Sequence, residues 1–180
     1  MRERERVSIK LSKIEDAKLL LKIHNASVKA GFFNSRNLIN LNQHIEWFKK
    51  KLKSNSKIYI GKNHKIKKFG YVRFDETKKN IFEISIGILP SYYGKGLGAL
   101  MLKKSIKKFK IKYKPKKIIC AVKKFNIRSL KCFLKNGFIK VKFNKRKHST
   151  INNLNIKQEY YLELKKLKTK KNFKIKYLNS

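Results

Sequence analysis

Cysteine is scarce in this chain. Its two residues, Cys120 and Cys132, lie inside apolar patterns and lack the paired spacing of a metal site. They read as reduced thiols, which fits a cytoplasmic protein. The four histidines, His24, His44, His64 and His148, are dispersed along the chain, so no metal centre is expected. Long apolar runs are also missing. No stretch approaches the length of a membrane span, and the opening MRERERVSIK has no signal-type apolar core. Arginine is rare as well, with 7 residues against 42 lysines. Because the planar guanidinium is the usual reader of phosphates and base edges, this argues against a specific nucleic-acid binder. Clusters of arginine and stacked-aromatic motifs are lacking too.

What is present is a globular composition. The 180 residues are 41% hydrophobic, enough for one domain with its own core, here assigned to residues 1–164. Residues 165–180 read as a basic C-terminal tail. The formal net charge is +39, with only 10 acidic residues. Lysines are spread through every segment beside abundant Asn and Ile, a pattern that fits AT-rich coding and lysine filling solvated positions. Such a field still attracts anionic ligands over a screened range.

Periodicity gives the element order β-α-α-β-β-β-α-β-α-β-β. Val7–Leu11 alternates as a first strand. Ser12 to Glu15 has the form of a capping box, followed by Ile14, Ala17, Leu21, His24 and Val28 at helical spacing. Asn40 to Gln43 repeats the cap before a second stripe of Ile45, Phe48 and Leu52. Strands are predicted over 56–61, 69–75, 81–90, 117–122, 137–143 and 157–164. Helices are predicted after Gly96, with Leu97, Leu100 and Met101 inward, and after Asn126, with Leu130, Phe133 and Leu134 inward and Gly137 as the stop. The expectation is an α+β fold: a mixed, mostly antiparallel sheet of about seven strands flanked by about four helices.

The strand from Ile81 is the most informative. Phe82, Ile84, Ile86 and Ile88 share the core face, while Ile81, Glu83, Ser85 and Gly87 share the other. A carboxylate and a hydroxyl therefore stand two residues apart on one face. Next come Ser91-Tyr-Tyr-Gly-Lys-Gly-Leu-Gly98 and an apolar helical pattern. A helix start presents unpaired N–H groups and the positive dipole end, and glycines let an anion reach them. A plain strand-to-helix turn would look similar. Neither the Walker loop nor the dinucleotide glycine spacing fits.

The segment Ile84 to Gly98 resembles the acyl-CoA-binding motif of the GNAT N-acetyltransferase superfamily, usually Arg/Gln-x-x-Gly-x-Gly/Ala. Tyr93 stands at the Arg/Gln position, followed by Gly96 and Gly98. Downstream, Asn126-Ile-Arg-Ser-Leu-Lys-Cys-Phe-Leu-Lys-Asn-Gly-Phe138 looks like the family's Asn-x-x-Ser/Ala helix ending in Gly-Phe. The resemblance covers about residues 6–164. It implies a GNAT-like acyl-CoA N-acyltransferase fold and acetyl-CoA as co-substrate. The diphosphate would lie on Gly94, Lys95, Gly96, Leu97, Gly98 and Ala99, and the pantetheine arm along Ile86, Ile88 and Leu89. Further co-substrate contacts would come from Tyr93, Asn126, Ser129 and Phe133. The amine acceptor attacks the thioester directly, with Glu83 as candidate base through water, or simply paired with a lysine, and Ser85 as orienting or relay group. Many relatives carry Tyr where this chain has Phe133, so the proton for the leaving thiolate is assigned to solvent, Tyr92 or Tyr93.

The N-terminal half, through Leu20–Val28, Phe33-Asn-Ser35, Ile39 and His44-Ile-Glu-Trp-Phe48, resembles bacterial UDP-4-amino-sugar N-acetyltransferases of the pseudaminic acid pathway. That likeness implies a nucleotide sugar held by Asn25, Phe33, Asn34, His44 and Trp47. His44 and Trp47 would equally serve helix packing. A protein N-terminus, a polyamine or another small amine is the alternative acceptor. Similar enzymes commonly form dimers, so a homodimer is in keeping with the resemblance.

Overall fold

The computed structural model describes residues 7–32, 37–63, 65, 67–142 and 159–164. The expected element order is found: β1 (Ser8–Leu11), α1 (Ala17–Lys29), α2 (Leu41–Lys53), β2 (Lys57–Lys62), β3 (Lys68–Lys78), β4 (Ile81–Ile88), α3 (Leu97–Tyr113), β5 (Lys117–Lys123), α4 (Ile127–Lys135), β6 (Phe138–Lys140) and β7 (Glu159–Leu164). The strands form one seven-stranded sheet in the order β1-β2-β3-β4-β5-β7-β6. β4 and β5 pair parallel, and the other neighbours pair antiparallel. The tail from Lys165 and the segment 143–158 lie outside the described residues.

Alternation along β3 and β4 sends side chains to two distinct cores. On one face, α3 and α4 cover Val72, Phe74, Phe82 and Ile84 with Leu97, Met101, Leu102, Phe109, Leu130 and Phe133. Phe109 is fully buried, with its ring stacked on Phe74 at 3.9 Å and edge-on to Phe82 at 4.8 Å. Truncating it to alanine removes about 3–5 kcal/mol of stability. On the other face, Ala17, Leu20 and Ile23 of α1 and Phe48 of α2 pack on Ile58, Ile60 and Tyr71.

Three local expectations are corrected. The helix-1 cap is one residue later than read: the Ser12 N–H donates to the Ile58 carbonyl at 2.8 Å, and the Asp16 carboxylate accepts from the Lys13 N–H at 2.8 Å. Asp16 also pairs with Lys68 of β3, which pins the start of α1 to the sheet. The buried stripe of α1 is Ala17, Leu20, Ile23, Ser27 and Val28, so Ala17 and Val28 stand as expected, whereas Ile14 is exposed and Leu21 only half-buried. Three consecutive leucines, 19 to 21, allow two helical stripes, and only packing selects one. Leu52 and Leu134 are likewise exposed at helix ends.

The second cap stands as read. The Gln43 N–H donates to the Asn40 side chain at 2.9 Å, and the Gln43 side chain answers to the Asn40 N–H at 3.5 Å. Gly137, at φ +85°, stops α4 as expected.

Candidate functional site

The site begins where the sheet comes apart. β4 and β5 share only the pairs Ile81↔Lys117, Phe82↔Ile118 and Glu83↔Ile119. Beyond Glu83, β4 stays on β3 as far as Ile88↔Gly70, while β5 pairs with β7 as far as Lys123↔Glu159. A wedge opens between them. The Leu89 N–H donates to the Phe69 carbonyl at 2.9 Å, so it faces β3. Because N–H directions alternate along a strand, those of Ile86 and Ile88 face the wedge. Among the described residues no strand meets that edge.

At the wide end, β4 turns through Pro90–Tyr92 into the glycine loop. Gly94 and Gly96 have φ of +75° and +73°, a region that L side chains avoid. A Cβ on Gly94 would meet nothing within 4 Å, so this glycine faces open space and serves backbone shape and access. Gly98 has a different reason. A Cβ there would lie 2.3 Å from the Ile88 Cδ1, so its absence lets the first turn of α3 sit against β4. The first-turn N–H groups of α3 have no intrahelical carbonyl and point out of the loop.

Tyr92 turns inward against Phe69, 5.7 Å between centroids, with Lys95 over its ring at 5.4 Å. Tyr93 turns toward α4, where the Arg128 guanidinium lies 4.4 Å from its ring centroid. Arg128 was not singled out in the sequence. A positive charge that the loop itself lacks at position 93 is thus supplied from the neighbouring helix.

The opposite face of the wedge carries the polar strip. Register places Arg73 across from Ser85, Asp75 across from Glu83 and Tyr71 across from Gly87. Asp75 receives Lys51 at 2.7 Å and the Ser56 hydroxyl at 2.7 Å, and pairs with Arg73 at 2.6 Å. Burial alone would raise its pKa, but Arg73 and the donors from Lys51 and Ser56 hold it below the usual value. Above the strip, His44 is 4% exposed and packs against Trp47 at 5.1 Å, while the Arg73 guanidinium lies over Trp47 at 5.4 Å. His44 is lowered in pKa, first by burial and then by nearby His24 and Arg73, against a backbone hydrogen bond to Ala17 that raises it. Its Nε2 is buried with no hydrogen-bond partner among the described residues. His24 is lowered by burial and by Arg73. Burial raises the pKa of both Cys120 and Tyr161; Glu83 adds to the effect at Cys120, while at Tyr161 Glu163 is the main charge and Glu83 a minor one.

The other expected site residues are placed as follows. Both polar ends of Asn25 bond the Ile39 backbone, at 3.0 and 3.1 Å, so it fixes the α1–α2 connection. Phe133 is 2% exposed and edge-on to Phe138 at 5.0 Å, which makes it core. The Asn126 side chain accepts the Ser129 N–H at 3.1 Å as a helix cap. Tyr93 belongs to the loop beyond β4, with its ring against Arg128 of α4. Phe33 and Asn34 lie outside the described residues. Leu89 and Leu97 lean on the two cores. No group of three potential metal ligands occurs among the described residues.

Comparison with known proteins decides the family. The sequence pattern of the acetyltransferase (GNAT) domain matches residues 6–139. The chain belongs to the GNAT acetyltransferase family. It is an acetyl-CoA-dependent N-acetyltransferase. Solved GNAT-type structures superpose over most of its length. The Vibrio cholerae spermidine N-acetyltransferase in complex with CoA and spermine is 14% identical, covers 88% of this chain and 94% of its own, and has a TM-score of 0.71. The Salmonella typhimurium protein yncA with its cofactor acetyl-CoA is 15% identical, covers 89% and 94%, and has a TM-score of 0.70. The Brucella melitensis ribosomal-protein-alanine N-acetyltransferase is 16% identical, covers 89% and 99%, and has a TM-score of 0.72. These likenesses bear on the fold alone. No curated protein sequence matches the chain.

Proposed function

We propose that this GNAT enzyme acetylates the primary amine of an anionic small molecule, most specifically a UDP-linked amino sugar. The observation that carries the reading is the cluster of His24, His44, Arg73 and Trp47 on the acceptor side of the sheet. It offers a ring to stack on, imidazole nitrogens to hydrogen-bond and positive charge for a diphosphate. A polyamine would call for carboxylates instead. Asp75 is already bound to Arg73, Lys51 and Ser56, and Glu163 to Lys117. The net charge of +39 further disfavours a polycation or a basic protein.

In this reading acetyl-CoA lays its diphosphate on the N–H groups of Gly94 to Ala99, and its pantetheine arm adds to the free edge of β4. The wedge-facing N–H of Ile86 or Ile88 holds the thioester oxygen as it gains charge. The acceptor nitrogen attacks the carbonyl carbon and its proton passes, through water, to Glu83. Ser85, two residues along the same face, orients the amine. The C–S bond then breaks and the thiolate takes its proton from solvent. Proximity provides most of the rate, since no enzyme nucleophile is required.

The test is acetyl-CoA turnover with UDP-amino sugars, spermidine and peptide N-termini, followed by thiol release. The UDP-amino sugars should give the highest kcat/KM, and Arg73→Gln or Trp47→Ala should raise the KM for them. Preferred turnover of spermidine or a peptide would overturn the acceptor assignment while leaving the family intact.

A further inference from the structure

Lys123 is 7% exposed and is the one buried lysine among the described residues, while its neighbour Lys124 is open to solvent. Taking an ammonium group out of water is costly, so a lysine-rich composition alone gives no reason to bury one. Its position is more telling than its burial. Val122 belongs to the core under α3 and α4, so strand alternation puts Lys123 on the opposite, acceptor face of β5. β4 and β5 run parallel and share their last rung at Glu83↔Ile119. Counting on equally along both strands from that rung brings Lys123 level with Gly87, across the open wedge. That level falls between Ile86 and Ile88, whose N–H groups face the wedge. Just past β5, Phe125 stacks on Phe32 with 5.9 Å between centroids. The pair ties the β5 side of the wedge to the end of α1, whose Ile23 lies over Gly87.

We propose that Lys123 is the charge partner of the thiolate that leaves when the acetyl group is transferred, which rests on the co-substrate placement proposed above. With the thioester oxygen on the Ile86 or Ile88 N–H, the carbonyl carbon and the sulfur lie at the level of Lys123. As the acceptor nitrogen forms the C–N bond, the C–S bond breaks and its electron pair goes to sulfur. The ammonium faces that developing charge and keeps its own protons, and the solvent proton arrives afterwards. Because Lys123 is withdrawn from water, the pairing is stronger than it would be at a surface. Phe133 is core and offers no hydroxyl, so this chain meets the leaving group with a charge from β5.

The test is titration of the protein with CoA, which carries the free thiol, and with desulfo-CoA, which lacks the sulfur. Near neutral pH, ultraviolet absorbance should show a thiolate fraction at least about tenfold larger for bound than for free CoA. Lys123→Met keeps the length of the side chain and removes the charge. It should bring that fraction to within about twofold of free CoA and lower kcat about 10²-fold, with desulfo-CoA affinity held within about twofold. Lys123→Arg should keep most of the excess thiolate, and Lys124→Gln, one residue on at the surface, all of it. If Lys123→Met does not fold, the wild-type and Lys123→Arg fractions decide, and no excess in the wild type overturns the proposal. A Lys123→Met fraction equal to wild type overturns it while leaving the binding mode intact. CoA that leaves the Ile86 and Ile88 amide resonances undisturbed overturns the binding mode, and the proposal with it.

Discussion

The Arg128 guanidinium and the Tyr93 ring are stacked 4.4 Å apart, joining the first turn of α4 to the glycine loop. At the loop position where relatives usually carry Arg or Gln, this chain has an aromatic ring with an arginine from elsewhere resting on it. Arg128→Ala should raise the KM for acetyl-CoA about tenfold with kcat nearly unchanged, because the charge serves binding and not the chemical step. Tyr93→Ala should cost a similar amount, and the double variant should lose less than the two combined. Additive losses would show the two residues acting separately.

Gly94 and Gly98 should fail in different ways. Gly94→Ala meets no neighbour but forces an L residue to φ +75°, costing about 1–2 kcal/mol and narrowing access to the loop amides. Its main readout is weaker acetyl-CoA binding. Gly98→Ala drives a methyl into the Ile88 side chain and should lower Tm by an amount equivalent to about 1–3 kcal/mol. Ile88→Val should restore part of that loss, which calorimetric melting can check.

Glu83→Gln should reduce kcat about 10²- to 10⁴-fold while acetyl-CoA affinity, measured by titration, stays within twofold. An unchanged kcat would remove Glu83 as the base. The pH–rate profile gives a second reading, since the variant should lose the limb that requires a deprotonated carboxylate.

Asp75 holds Arg73, Lys51 and Ser56 together, with its side chain 19% exposed. Asp75→Asn leaves two cations facing each other and should destabilise the fold by about 2–4 kcal/mol in urea unfolding. Lys51→Met alone should cost less, because the Arg73 pair survives it.

His24 and His44 are both depressed below the ordinary histidine value, first by burial. The folded state therefore binds protons less readily than the unfolded chain. Their contribution is present above the unfolded value of 6.5 and is lost as pH falls through the folded value. Tm should decline as pH falls from 6.5 toward the folded value and level off below it, and His44→Gln should flatten the decline. A profile identical to wild type would exclude His44 as the sensor.

Much of this was legible before any coordinates. The period-two pattern of β4 assigned Glu83, Ser85 and Gly87 to one face, because a strand has no other way to place them. The Asn40 and Asn126 caps were legible for the same reason, since each acts on its own next three residues. What escaped depends on distant partners. Nothing near Asn25 says that its amide will meet Ile39, and nothing near Phe133 says that the α4 side chain points at Phe138. Arg73 and Asp75 alternate on β3 as surface charges would, so only the α1 and α2 helices above them mark them as half-buried. Arg128 looked like one more base in a basic chain until α4 brought it to Tyr93.

The three residue pairs that join β4 to β5 also have a mechanical meaning. They are the seam between a four-stranded half and a three-stranded half of the sheet. Under the proposed binding mode, with the pantetheine arm in the wedge, the ligand would supply rungs that the polypeptide does not. The enzyme would then be stiffest while loaded and loosest after CoA departs, and amide exchange at Ile86 and Ile88 would report each turnover as the filling and emptying of that seam.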